Sequence, residues 1–522
     1  MHSPSEPAAE PAAETPDLTG QKNFTRNLLF SWGGYGVNLI AGFILPRIVD
    51  EHLGQFQLGV WDFAWSMIGY LGLIELGAGA SVGRLLARDR ALGATGHLTT
   101  SVSSMAICMN VLGVLMMLGA FMVSFIVVPH FHDKLGTFVP QVQWIVILLG
   151  LGTAVEVFLG IYSSAIVAAH RWDLHNLVSG WVSFAGTAGM VVALLCGGGL
   201  VSMSAIYTCA AIGGHLVRWK AASRVCPEIQ IDWRRAEFRV VREQARFAAK
   251  NLIPRFADML VNQTVSVLLA VFAGPAALAV FSRPRALTKH LRTLVGKFSS
   301  ILIPSASALQ AQDDHLGLRQ MFLKRSEQAS CFSVPALLWF TVIGGPFISL
   351  WMGKDYFHAG LVPILSIGFI ASLVQDPVWA IMTGLNRHGR IALVKFGGSV
   401  ASAGSVALGL YFGQDKLLWT ALGLTAPMLL VDGLLVPGIA CRAMDVPLSA
   451  FYRLTLLKPF LLFLPAGICL VTARHFFSAQ PLLMLAIGGS IAGFVQVGMF
   501  YKFALPERLR LQLRRRLSFS RA

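Results

Sequence analysis

Residues 100–128 read TSVSSMAICMNVLGVLMMLGAFMVSFIVV, twenty-nine positions without one Asp, Glu, Lys or Arg. An α-helix needs about 20 apolar residues, at roughly 1.5 Å rise each, to cross the hydrocarbon of a bilayer. The run is continuous rather than alternating, so it predicts a membrane helix and not a barrel strand. Working outward, similar runs recur near 27–49, 56–76, 143–168, 176–196, 199–219, 251–273, 275–306, 330–352, 361–384, 391–412, 417–441, 453–473 and 481–503. With 100–128 they predict fourteen spans. Only Gly274-Pro275 separates the seventh from the eighth, so twelve or thirteen is the alternative count. Composition agrees: of 522 residues 55% are apolar and 13% charged, with a mean hydropathy of +0.64. A soluble domain carries about 25% charged residues, and a chain this apolar has too little polar surface to fold as one.

The charges that remain are biased, with 42 Lys+Arg against 26 Asp+Glu, a net of +16. With the N-terminus inside, thirty of the basic residues fall on cytoplasmic segments, five on external ones and seven within spans. This positive-inside bias predicts a multi-pass protein with both termini in the cytoplasm. The basic excess is therefore topology, not a sign of nucleic acid. The expected organisation is a disordered tail at 1–26, a six-helix lobe at 27–219, a basic cytoplasmic loop at 220–250, a second six-helix lobe at 251–441, an appended pair at 442–503 and a basic tail at 504–522. The tail at 1–26 lacks the pattern of a signal peptide. The Arg-rich run after Arg508 reads either as a surface helix on anionic lipid or as an ordinary basic tail.

A weak internal repeat supports two lobes. Asn38 and Asn262 occupy corresponding spans, and Gly54-x-x-x-Leu58-Gly59-Val60-Trp61 is echoed by Gly274-x-x-x-Leu278-Ala279-Val280-Phe281. Lobes of six spans each would be parallel repeats enclosing a central cavity, a geometry suited to alternating access.

Several short motifs carry a resemblance. Leu53-Gly54, Gly59-Val60-Trp61, Leu71-Gly72-Leu73-Ile74-Glu75-Leu76-Gly77, Ile303-Pro304 with Ser307 and Leu309, and Gly384-Leu385-Asn386-Arg387 resemble the Wzx-type polysaccharide flippases. These belong to the multidrug/oligosaccharidyl-lipid/polysaccharide exporter superfamily. Glu75 stands where Asp is more usual, and Phe56-Gln57 replaces an acidic–aromatic pair. The resemblance implies a non-enzymatic transporter of the bacterial inner membrane, without a cofactor, that flips undecaprenyl-diphosphate-linked oligosaccharide for lipopolysaccharide or exopolysaccharide synthesis. Its implied partners are that lipid-linked substrate, membrane lipids, and the polysaccharide polymerase and export machinery. The alternatives are a multidrug/cation antiporter of the same superfamily and a membrane glycan polymerase. The polymerase is disfavoured because no external segment is long enough for a catalytic loop. No Walker-type phosphate loop occurs.

Charges inside spans cost about 2.5–3.5 kcal/mol each on insertion scales, which makes them functional candidates. SRPRALTKHLRTLVGKFSS (282–300) is the densest set. Helical spacing puts Arg285, Lys289 and Arg292 on one face and Arg283, His290 and Lys297 on roughly the opposite one. One stripe should line a cavity and the other should pack on a helix or reach the interface. Arg285, Lys289 and Arg292, with Arg255, are the candidate groups for a diphosphate or acidic sugar; snorkelling at the membrane edge is the competing reading. Arg255 and Asp258, three apart, share a face and read first as a structural ion pair. Among the span carboxylates, Asp62, Glu75, Glu156, Asp258, Asp376 and Asp432, the candidates for ion coupling are Glu75, Asp258 and Asp376. Glu75 leads, set in a Gly-rich stretch. His130, His132 and Asp133 read as a solvated loop rather than a metal site. The seven cysteines read as inert thiols.

Overall fold

The computed structural model describes residues 24–75, 78–91, 95–249, 252–477 and 480–504. They are helical, with no strand among them. We number sixteen helices: α1 (Phe24–Leu53), α2 (Gln55–Leu71), α3 (Ala78–Ala91), α4 (Thr95–Met122), α5 (139–168), α6 (Trp172–Leu195), α7 (Leu200–Val225), α8 (Phe238–Ala249), α9 (Leu252–Ala273), α10 (275–311), α11 (His315–Met352), α12 (Leu361–Gly384), α13 (Gly389–Phe412), α14 (Lys416–Ala443), α15 (Leu448–Phe476) and α16 (Pro481–Lys502). α8 is a surface helix, and among the described residues ten helical stretches are long and apolar enough to cross a membrane, so the chain is a polytopic all-α membrane protein. Side chains such as Trp181, Phe494 and Val497, 63%, 84% and 70% exposed, face outward from the bundle, an arrangement suited to lipid rather than water.

The helices sort by packing. α1 lies on α6, α4 on α5, and α5 and α6 on α7; α11 lies on α12, α9 on α13, and α12 and α13 on α14. These two lobes meet where α2 crosses α10. α15 packs on α11, and α16 packs on α15 and reaches α11, where Gln496 Nε2 donates to the Pro335 carbonyl at 3.3 Å. The central cavity lies between the lobes.

The sequence repeat has a structural counterpart. Gly54 and Gly274 have φ, ψ of 85°, 166° and 91°, 167°, and each precedes the helix that crosses to the other lobe. A positive φ is the region glycine enters without a Cβ penalty. Asn38 and Asn262 each donate from Nδ2 to the carbonyl four residues back, Gly34 at 2.9 Å and Asp258 at 2.8 Å. A further match was not seen in the sequence. His170 and Asn386, with φ of 57° and 54°, close equivalent turns in which Arg171 N and Arg387 N reach back five residues to Ile166 and Met382.

Helix irregularities have local causes. Wide π turns at Val123–Val127, Val431–Leu435 and Arg453–Leu457 each end two residues before a proline: Pro129, Pro437 and Pro459. Proline lacks an N–H and crowds the carbonyl four back, and a wider turn relieves both. The second crossing breaks at Gly72–Glu75, and Glu75 Oε1 accepts weakly from Gly79 N at 3.4 Å, near the start of α3.

Several expected boundaries change, among them the start of α11 at His315 rather than near 330. Residues 84–91, read as loop, continue the second crossing as α3, and α7 runs to Val225, beyond the expected end at 219. The segment after α7 is strapped to the first lobe: Ser103 and Ser104 hydroxyls accept from Asp232 N and Glu237 N at 2.9 and 2.8 Å. Most of 1–26 and of 504–522 lies outside the described residues.

Candidate functional site

The lobes are held together toward the Gly54–Gly274 end. Arg283 on α10 is 4% exposed and pairs with Asp62 on α2. Tyr356 Oη donates to Asp50 Oδ1 at 2.5 Å, and Trp351 Nε1 donates to the Phe43 carbonyl at 2.8 Å. Further down, Tyr70 Oη donates to Thr264 Oγ1 at 2.8 Å, and Tyr35 Oη donates to the His290 carbonyl at 3.0 Å. Below these contacts the lobes leave space.

One cavity of about 700 Å³ lies in the first lobe and opens to the centre. Its walls include Glu75 at the helix break, Glu156 on α5, His175 on α6, His215 and Arg218 on α7, and Lys289 on α10. A second, of about 490 Å³, is bounded by Asp258 and Asn262 on α9, Lys289 and Arg292 on α10, and Asp376 on α12. Lys289 lines both. A third, of about 150 Å³, lies inside the second lobe and is shared by Asp258, Arg292, Asp376, Lys395 and Asp432. There Arg292 Nη2 stands 3.7 Å from Asp258 Oδ1, and Lys395 Nζ stands 3.2 Å from Asp432 Oδ1. Ser372 donates to the other Asp432 oxygen. Three carboxylates and two cations from five helices thus share one small space.

The basic face of α10 does not act as a unit. Lys289 and Arg292 are open to the cavities. Arg285, expected beside them, is instead packed on α9: its guanidinium donates to the Val261 carbonyl at 3.1 Å, Asn262 Oδ1 at 3.0 Å and Ser266 Oγ at 3.3 Å. On the opposite face Arg283 is locked on Asp62. His290 sits against Tyr35 and stacks on Phe43, centroids 6.0 Å apart. The side chain of Lys297 lies outside the described residues. The expected Arg255–Asp258 pair does not form: Asp258 turns to Arg292, and Arg255 has no hydrogen bond or ion pair among the described residues and lines none of the three cavities. The coupling candidates divide, Asp258 and Asp376 meeting in the second lobe while Glu75 stands in the first.

Sequence reasoning missed His175, His215 and Arg218. Arg218 lies at the very end of the run expected to span 199–219, where a basic residue reads as a membrane-edge charge; it is 8% exposed and donates to Ser179 Oγ at 2.8 Å. The available signal was His215 and Arg218 three apart on an otherwise apolar helix.

Comparison with known proteins gives the fold a context. Residues 140–360 match a family model described as a polysaccharide biosynthesis protein. No curated protein matches the chain in sequence. Among solved structures, an inward-facing multidrug resistance MATE transporter of the MOP superfamily is similar, with a TM-score of 0.64 at 13% identity over 82% of this chain and 99% of that one. The lipid II flippase MurJ in an inward closed conformation has a TM-score of 0.62 at 12% identity, over 91% and 98%. A MOP superfamily transporter from Pyrococcus furiosus, described as having a binding pocket of reversed polarity, has 0.55 at 12%, over 82% and 99%. The fold is thus that of the MOP superfamily transporters and flippases, and over residues 140–360 the sequence is similar to the polysaccharide biosynthesis protein family.

Proposed function

We propose that the chain flips a polyprenyl-diphosphate-linked oligosaccharide across a bacterial inner membrane by alternating access, for surface polysaccharide assembly. The observation that carries this reading is the pair Lys289 and Arg292, one turn apart on α10 and open to the cavities between the lobes. A guanidinium offers a phosphate two parallel donors and an ammonium adds a compact charge. A cationic drug would meet repulsion at both, which disfavours the antiporter alternative. The reversed pocket polarity described for the Pyrococcus furiosus neighbour supports using the sign of the pocket as a guide to cargo. Arg255 and Arg285 contribute less to this reading: Arg285 acts by positioning Asn262 at the cavity edge.

With both termini in the cytoplasm, as the basic-residue bias favours, the Gly54–Gly274 end faces outward and the lobes stand sealed outside and accessible from inside. Coupling follows from the second-lobe cluster. Arg292 is shared between Asp258 and an arriving diphosphate. When the diphosphate takes the guanidinium, Asp258 and Asp376 face each other without it, and two uncompensated carboxylates favour uptake of a proton or metal cation. Glu75, at the helix break of the other lobe, is a second coupling group in this scheme.

The test is export in a deletion strain carrying Lys289→Ala or Arg292→Ala. The expected outcome is loss of surface polysaccharide and accumulation of full-length lipid-linked repeat units, with normal membrane levels of each variant. Normal export by both variants would overturn the proposal.

A further inference from the structure

The first-lobe cavity contains buried polar atoms that the protein leaves unmet. His215 and Arg218 are 6% and 8% exposed. Nδ1 of His175, Nδ1 of His215 and Nε of Arg218 are buried without a hydrogen-bond partner. Groups buried in this way are normally satisfied; all three belong to side chains that line this one space, and a small rotation of each brings its nitrogen to a ligand there. Opposite lies Glu156, an acceptor within electrostatic range of Arg218. Trp65 forms part of the wall, its ring held edge-on by Tyr207 at 5.0 Å and Trp61 at 6.1 Å.

Three features select the ligand class. Donors and acceptors are mixed: guanidinium, imidazoles and serine hydroxyls against carboxylates. Charge is balanced, with Glu75 and Glu156 against Arg218 and Lys289, so neither an anion nor a cation is favoured. The space, about 700 Å³, far exceeds that of an ion and has a fixed aromatic wall. Vicinal hydroxyls, each both donor and acceptor, match such a lining, and the C–H face of a sugar ring matches an indole.

We propose that this cavity is a glycan subsite for the uncharged, hydroxyl-rich sugars next to the diphosphate, with Glu156, His175, His215 and Arg218 as its hydrogen-bonding residues. The inference rests on the function proposed above, because Lys289, common to both central cavities, would hold the diphosphate at the point where the glycan enters. It adds a second, chemically distinct half to the cargo site, built on the opposite lobe.

The test uses the purified full-length chain in nanodiscs with two kinds of probe. Saturation-transfer NMR reads binding of neutral, amino-bearing and uronate-bearing disaccharides. Farnesyl diphosphate reads the Lys289–Arg292 half by itself. We expect saturation transfer to the neutral disaccharides, reduced at least fivefold in both Arg218→Gln and Glu156→Gln, with farnesyl diphosphate binding and Tm retained. Transfer confined to uronate-bearing disaccharides, transfer unchanged in both variants, or no transfer to any disaccharide would overturn the glycan subsite. Loss of stability in one variant leaves the other, with His215→Asn, to decide. Failure of farnesyl diphosphate to bind, with sugar binding intact, would instead count against the diphosphate reading.

Discussion

Arg283 and Lys289 are six residues apart on one helix and have opposite fates. Arg283 is enclosed against Asp62, where two ions have left water and survive because they have each other. Removing one partner of such a buried pair typically costs about 3–5 kcal/mol, whereas replacing both with apolar groups is often close to neutral. Arg283→Ala should therefore lower the melting temperature sharply, and the double change Asp62→Leu with Arg283→Met should restore much of it. Equal losses in the single and double variants would show that the pair is not what holds α2 to α10. Lys289 faces a cavity, so its replacement should hardly move Tm while removing transport. The contrast separates a clasp from a contact with cargo; helical spacing put the two on opposite faces but could not name Asp62 as the partner of Arg283.

At the scale of the element, the closest approach is between α2 and α10. A Cβ added to Gly59 would lie 1.8 Å from the Pro275 carbonyl oxygen, a backbone atom that cannot swing aside. Overpacking of this kind costs typically about 1–3 kcal/mol. Gly59→Ala should lower Tm and loosen the seal, read as faster labelling of a cysteine introduced at Asp50; unchanged melting and labelling would contradict the packing. The helices themselves were largely legible, because apolar runs of twenty residues or more announce membrane crossings. The break at Gly72–Glu75 was not, because it falls inside an apolar run expected to cross as a single span over 56–76. The ends were less so: α7 extends past 219 because Arg218 and Lys220 fit a helix as well as a loop. The site was only half legible. Spacing placed Lys289 and Arg292 on one face, but it could not say that Arg285 is satisfied by Asn262, or that Asp258 prefers Arg292 to Arg255. Those outcomes depend on which helix lies opposite, and a period of 3.6 residues carries no information about neighbours.

For the whole molecule, the two lobes are copies in backbone detail: paired glycines, paired asparagines and paired turns at His170 and Asn386. If the copies rock against each other, a bridge across the sealed end should arrest the cycle. Cysteines at Asp50 and Tyr356, in a background with Cys108, Cys196, Cys209, Cys226, Cys331, Cys441 and Cys469 replaced by serine, should allow a short bismaleimide to stop export, with either single cysteine unaffected. Continued export after complete cross-linking would mean that this end never opens. The position of the seal also sets the mechanical advantage of the cycle. The first stretch of α10, Pro275–Ser300, has 26 residues, about 39 Å at ~1.5 Å per residue. With the fulcrum at the Gly59–Pro275 contact, tilting that stretch by about 10° would sweep Ser300 through roughly 7 Å. Side chains at the fulcrum would scarcely slide. A clasp near the pivot can thus stay dry and tightly packed while the opposite mouth admits a large headgroup, so small rotations at one end suffice for wide passage at the other.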